Sequence, residues 1–270
     1  GADDYLTKPC TAEELLEAVR TRLKKQEIFE KQSEIKLDDL RRSITHSLPH
    51  ELRTPLNGIL GNTELLLLEL EDLDVAEMRI ILEDIRTSSQ RLNRLIINFL
   101  LYADLELIAT NNQRIQALQK SSVNSVDSLI DDAAQEQARQ FNREADLQIK
   151  LQDSPVQMAA NRLAKLVEEL LNNAFKFSQP GTPVYVKTEV EKDKFILSVI
   201  DKGRGMTPEH IQKMGAYLQF ERKLYEQQGS GMGLSIVRRL VELHSGKLMI
   251  ESEPNQQTTV RVELPTPDQA

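Results

Sequence analysis

Four groups of residues in this chain have the types and spacing to do chemistry. The first is His50–Glu51, inside the stretch SLPHELRTPLN at 47–57. A neutral imidazole is a nucleophile near neutral pH, and an acid, Glu51, stands directly after it. Apolar residues recur around it as Leu37, Leu40, Ile44, Leu48, Leu52, Leu56 and Ile59, steps of three and four that mark one helical face. At about 100° per residue His50 points almost opposite Leu48 and Leu52, toward solvent, where a large partner could reach it. His46 and His50 also have the i,i+4 spacing of a two-histidine metal face, but no cysteine or third histidine lies near them. Alone, an exposed helical histidine is an ordinary solvated side chain.

The other three groups lie in the C-terminal half. Glu169, Asn173 and Lys176 share one face of a strongly amphipathic helix, with Leu163, Leu166, Val167, Leu170 and Ala174 on the buried side. A carboxylate and an amide oxygen are hard ligands of the kind Mg²⁺ accepts beside water and phosphate, and a lysine one turn on can meet phosphate. Asp201-Lys202-Gly203-Arg204-Gly205 follows the apolar strand FILSVI. A strand-end aspartate can accept from an amino group such as that of adenine, and the glycines let a ligand approach the backbone. Gly229, Gly231 and Gly233, with Leu234, open directly into the helix SIVRRLVELH. Such a turn offers unpaired N–H groups to phosphate. The long polar stretch between the last two groups carries Tyr217, Phe220, Arg222 and Lys223, and a loop of that length is commonly a lid. Each group has an ordinary reading as a solvated face or a turn. Their joint order is much harder to obtain by chance.

Composition and periodicity limit what must position these groups. The length of 270 residues suits about two domains. A formal net charge of −8 and the absence of a basic run argue against nucleic-acid binding. The single cysteine, Cys10, excludes an internal disulfide and fits a reducing compartment. No apolar run is long enough to span a bilayer, and no signal peptide is visible. The chain begins at Gly1, as a fragment of something longer would. Residues 11–68 read as nearly continuous helix, charged in the first part. A second helix carries Val75, Met78, Leu82, Ile85, Ser89, Leu92, Ile96, Phe99 and Ala103 on a heptad-like seam. Two such helices cannot bury their stripes alone, so a second copy is expected to complete a four-helix bundle. After a linker with weak helical character at 109–121, helices over 126–142, 161–177 and 232–244 alternate with strands at 147–153, 183–190, 194–200, 248–252 and 258–265. That mixture predicts an α+β sandwich with helices on one face of a mixed sheet.

With these residues in view, the chain resembles a sensor histidine kinase from about residue 35 to 265. HELRTPLN at 50–57 resembles the family's phosphoacceptor box. The resemblance makes His50 the phosphorylated residue, Glu51 its general base, and Thr54 the residue that orients water in members that are also phosphatases. ELLNNAFKF matches the next box, which implies a Mg²⁺-binding Asn173 and a phosphate-contacting Lys176. Glu169 stands where the family usually has asparagine. In wider relatives with the Bergerat-type ATP fold a glutamate there activates water, so Glu169 is carried as a second candidate metal residue. Asp201, Gly203 and Gly205 match the adenine box, Arg222 a phosphate-contacting lid arginine, and Gly229, Gly231 and Gly233 the last glycine box, followed by Leu234. GADDYLTKPCTAEELLEAVRTRL resembles the end of a response-regulator receiver domain, through Lys8-Pro9 and the helix after it.

The resulting expectation is a receiver remnant at 1–25, a connector and dimerising hairpin at 26–108, a linker at 109–120 and an ATP-binding domain at 121–270. The resemblance implies ATP as substrate, Mg²⁺, a homodimer, a response-regulator partner and a cytoplasmic location. The alternatives are an ATP hydrolase of the same fold and a scaffold that binds nucleotide without reacting it.

Overall fold

A computed structural model describes residues 11–13, 15–24, 48–207 and 232–267. Lys8-Pro9, most of the connector, Arg222, Gly229 and Gly231 lie outside the described residues. Two long helices, α1 (Leu48–Leu68) and α2 (Val75–Ala109), form an antiparallel hairpin. Asp74 starts α2 with a reciprocal capping box: its side chain accepts from the Glu77 N–H, and the Glu77 side chain accepts from the Asp74 N–H. Inside the hairpin Pro55, Ile81 and Leu95 are buried, and Gly58 passes close to Ser88.

The expected seam on α2 is only partly the buried one. Val75, Leu82 and Ile96 are exposed, while Ile81 and Leu95 face inward. The helix carries two apolar stripes, and one partner helix covers one of them. On α1 the same division leaves Leu56 and Leu60 uncovered while Pro55 is buried.

The 109–121 stretch is more ordered than a linker. It forms α3 (Asn112–Gln119), whose Asn111 cap accepts from the N–H groups of Gln113 and Arg114. Leu118 is buried, and the Gln119 amide donates to the Leu243 carbonyl. The end of α2 also enters the C-terminal core, with Leu105, Ile108 and Ala109 buried there.

That core lies between three helices and a five-stranded sheet. The helices are α4 (Asp127–Gln140), α5 (Ala160–Phe177) and α6 (Met232–Leu243). The strands are β1 (Leu147–Lys150), β2 (Val184–Glu191), β3 (Lys194–Asp201), β4 (Lys247–Glu253) and β5 (Gln257–Pro265), in the order β1-β2-β3-β5-β4. Only the β1–β2 pair is parallel. Val184 and Val186 of β2, Leu197 and Val199 of β3, and Val262 and Leu264 of β5 face the helices. Alternation turns Lys187, Ser198 and Arg261 to the other face. This is the expected two-layer α/β sandwich, and β3 ends at Asp201.

Candidate nucleotide and phosphoacceptor site

His50 is exposed in the first turn of α1, and Glu51 after it is half-buried. Thr54, one turn on, leans back to donate to the His50 carbonyl at 3.5 Å. Pro55 lies inside α1, where it has no N–H to donate to the preceding turn.

The polar face of α5 runs from buried to open. Glu169 is 1% exposed, Asn173 is half-buried and Lys176 is exposed at the helix end. Lys176 and Arg204 both lie against the Phe177 ring, at 5.3 and 4.4 Å from its centroid. Partial burial, then the guanidiniums of Arg91, Arg94 and Arg204, push the Lys176 ammonium below its usual range. In a chain of net charge −8, four cations therefore converge on one place, and an anion there would relieve their repulsion.

Asp201 closes the other end. It is 7% exposed, and burial raises its carboxyl to about 6 against the stabilising pull of the Gly203 N–H and Arg143. Gly203 donates to Oδ1 at 3.0 Å, which leaves Oδ2 for a ligand. The loop after Asp201 is fastened on both sides. Gly203 bridges Ser178, the Arg204 N–H donates to the Phe177 carbonyl, and the Asn255 N–H donates to the Arg204 carbonyl. Both glycines are required by packing. A Cβ on Gly203 would run into the Phe177 carbonyl, and one on Gly205 into the Glu253 carbonyl, where φ is also +62°. Gly233, with Leu234 half-buried beside it, opens α6 directly over the Glu169 carboxylate.

The sequence groups on α5, β3 and α6 thus come together, Gly203 against Ser178 at the end of α5 and Gly233 against Glu169. Two kinds of residue were not found by sequence pattern. Arg143, 5% exposed, donates to Asp146, to the carbonyls of Phe175, Ser178, Gln179 and Thr182, and to Ser178 Oγ. It caps the α5 end that carries Lys176 and steadies the turn that bridges Gly203. Arg91, Arg94, Asn98 and Glu106 enter from α2. Asn98 and Glu106 are polar residues in the mostly apolar last part of α2, residues 95–109, a signal that could have marked them. Glu169, a candidate metal residue by sequence, accepts from Arg94 at 2.8 Å, Asn98 at 3.0 Å and Lys165 at 2.8 Å. Among the described residues no group of three or more His, Cys, Asp or Glu could hold a metal.

Residues 40–108 match the family model of the His Kinase A (phospho-acceptor) domain. Residues 158–268 match that of the histidine kinase-, DNA gyrase B-, and HSP90-like ATPase. The chain therefore joins a phospho-acceptor domain to an ATPase domain, the make-up of a histidine kinase. It is 26% identical over 254 residues to Sensor protein SrrB of Staphylococcus aureus, covering 87% of this chain and 40% of that relative's length. Its fold is that of Acinetobacter baumannii histidine kinase AdeS, with a TM-score of 0.58, 17% identity, and coverage of 81% of this chain and 98% of the other. No helix among the described residues is long and apolar enough to cross a membrane.

Proposed function

We propose that this chain is an ATP-dependent protein-histidine kinase that phosphorylates His50 and passes the phosphoryl group to an aspartate of a response-regulator receiver. The observation that carries this reading is the convergence of Lys176, Arg204, Arg91 and Arg94 beside Asp201 and its close-packed glycines, on a domain bonded to the hairpin that bears an exposed histidine. Asp201 accepts from the adenine amino group. Lys176, Arg204 and the N–H groups that open α6, joined by Arg222 of the lid, offset phosphate charge. Asn173, half-buried beside Lys176, fits Mg²⁺, which takes few protein ligands and keeps water and phosphate oxygens. When bound, the ion neutralises charge on the phosphates.

Catalysis here is positioning and charge neutralisation. An unprotonated ring nitrogen of His50 forms the N–P bond as the bond to the β-phosphate oxygen breaks, and ADP leaves with that electron pair. Glu51 holds the proton on the other ring nitrogen and stabilises the ring as it gains positive charge. A receiver carboxylate then displaces the imidazole from phosphorus, which restores His50. Thr54, one turn along the same face, is suited to orient water when the reaction is dephosphorylation.

The chain acts as a dimer. Leu60, Ile97 and Leu100 form part of an exposed apolar stripe that a second hairpin would cover. ATP as substrate puts both domains in the cytoplasm. The helix at 15–24 exposes Leu15, Leu16, Val19 and Leu23, as the last helix of a receiver separated from its sheet would. The hydrolase alternative rested on Glu169, whose carboxylate is engaged by three donors.

Incubation with γ-labelled ATP and Mg²⁺ tests the reading. The expected result is acid-labile label on the protein, lost in His50→Gln with nucleotide affinity unchanged. Free phosphate without labelled protein would establish the hydrolase instead.

A further inference from the structure

We propose that Glu169 is a positioning residue that docks the ATP domain on α2 and holds the phosphate-binding face level with His50, rather than a metal ligand or a water-activating base. The inference rests on the kinase reading and adds a role for this glutamate to it.

Three observations converge. The first is occupancy. Both Glu169 oxygens are taken, by Arg94 and Asn98 from α2 and by Lys165 from its own helix, and the side chain is 1% exposed. A Cβ on Gly233 would collide with the same carboxylate, so the start of α6 roofs it and leaves little room for an ion and its water. Burial opposes ionisation, but Arg94 and Lys165 outweigh it and hold the carboxyl below its usual range. Such a group is a poor proton acceptor.

The second is polarity. Twelve residues past Arg94 on the same helix, Glu106 (2% exposed) makes a bidentate pair with Arg239 of α6, at 2.6 and 2.8 Å. At one contact α2 supplies the cation, and at the other it supplies the anion. Reversing the domain on α2 would oppose like charges at both, so the two pairs define a single docking direction.

The third is height. Gly58 of α1 lies against Ser88 of α2, which sets the hairpin register. His50 is eight residues before Gly58, about 12 Å along the axis, and Arg94 is six residues beyond Ser88, about 9 Å in the same direction. The Arg94–Glu169 contact is therefore within about 3 Å of the level of His50. Asn173 and Lys176 follow Glu169 on the same face of a rigid helix, and Arg91, one turn from Arg94, bears on Lys176. In a symmetric bundle the two hairpins stand side by side, so the match in height holds whichever subunit's His50 is used.

The test uses the full chain with Arg94→Met, Glu169→Gln and the double variant. Each single change is expected to lower kcat for His50 labelling by at least about tenfold, since small misplacements are costly in phosphoryl transfer. The Mg²⁺ midpoint should stay within about twofold in both single variants, and nucleotide Kd within about twofold in Glu169→Gln, which removes no group that meets the nucleotide. The double variant should fall no lower than the worse single. Hydrogen exchange at 91–105 should quicken in both single variants, while β3 amides stay protected.

A Mg²⁺ midpoint shifted by Glu169→Gln and not by Arg94→Met would overturn the proposal in favour of a metal ligand. A raised kcat, or strictly additive losses, would also overturn it. If Glu169→Gln does not fold, Arg94→Met and Asn98→Leu carry the same comparison. Should the unmodified chain fail to label His50, the kinase reading fails separately. The exchange measurement still decides the docking: unchanged protection of α2 in Arg94→Met refutes it.

Discussion

Replacing Asp201 by asparagine should make the chain more stable while removing its ability to bind ATP. Asp201 is almost wholly buried, and its carboxyl is raised from 3.8 to about 6. A raised carboxyl means the fold prefers the protonated form. The favourable contribution is complete below pH 4 and is lost as pH rises through 6. At pH 8 the ionised Asp201 therefore costs the nucleotide-free fold about 3 kcal/mol, and at pH 5 roughly half of that. Asparagine carries no charge and keeps an oxygen for the Gly203 N–H, which Oδ1 accepts at 3.0 Å. Urea unfolding without nucleotide should give Asp201→Asn an advantage near 3 kcal/mol at pH 8, about halved at pH 5. Adding ATP should stabilise the parent and leave the variant unchanged. In the parent, ATP affinity should weaken about tenfold for each pH unit below 6, because adenine needs the ionised acceptor. An advantage independent of pH, or a variant weaker than the parent at pH 8, would refute the argument that burial of this charge is maintained for the ligand.

Other outcomes follow from single contacts. Arg143→Met strands several carbonyls at the end of α5 and should cost about 3 kcal/mol or more in urea unfolding. It should also raise the pH at which ATP binding fails, since Arg143 helps keep Asp201 ionised. Gly205→Ala drives a methyl into the Glu253 carbonyl at a positive φ. Nucleotide affinity measured by titration should drop by more than about tenfold as the loop shifts from its bound shape. Leu100→Lys puts a charge on an exposed apolar residue, 61% accessible in the single chain, and sedimentation should then report a monomer.

The sandwich and most residues of the candidate site could be read from the chain because each obeys a local rule. Asp201, Gly203 and Gly205 sit at a strand end, where a charge and two missing Cβ atoms are locally conspicuous. The α5 face follows from helical spacing. Arg143 obeys no such rule. It is one arginine among ordinary surface charges until the fold brings the end of α5 around it, and only then do its donors have partners. The reading of α3 as a linker has the same cause. Its anchors, buried Leu118 and the Gln119 amide bonded to the Leu243 carbonyl, meet elements far away in sequence.

Helix α2 shows how one helix can carry apolar stripes for more than one partner. A seam of Val75, Leu82 and Ile96 is a good heptad, yet in the hairpin it faces outward and Ile81 and Leu95 face inward. The helix has to satisfy α1 and the ATP domain in the described chain, and a second hairpin in the proposed dimer. One period cannot serve all three. The change of partner is written in the residues that interrupt the apolar pattern: Arg94, Asn98 and Glu106 all bond to the ATP domain. Buried polar groups of this kind gain little net stability over apolar replacements, but they are costly to leave unpaired. A slip of the ATP domain along α2 would unpair Glu169 and Glu106 together. An apolar seam alone would tolerate that slip, and the distance from phosphate to His50 would not survive it.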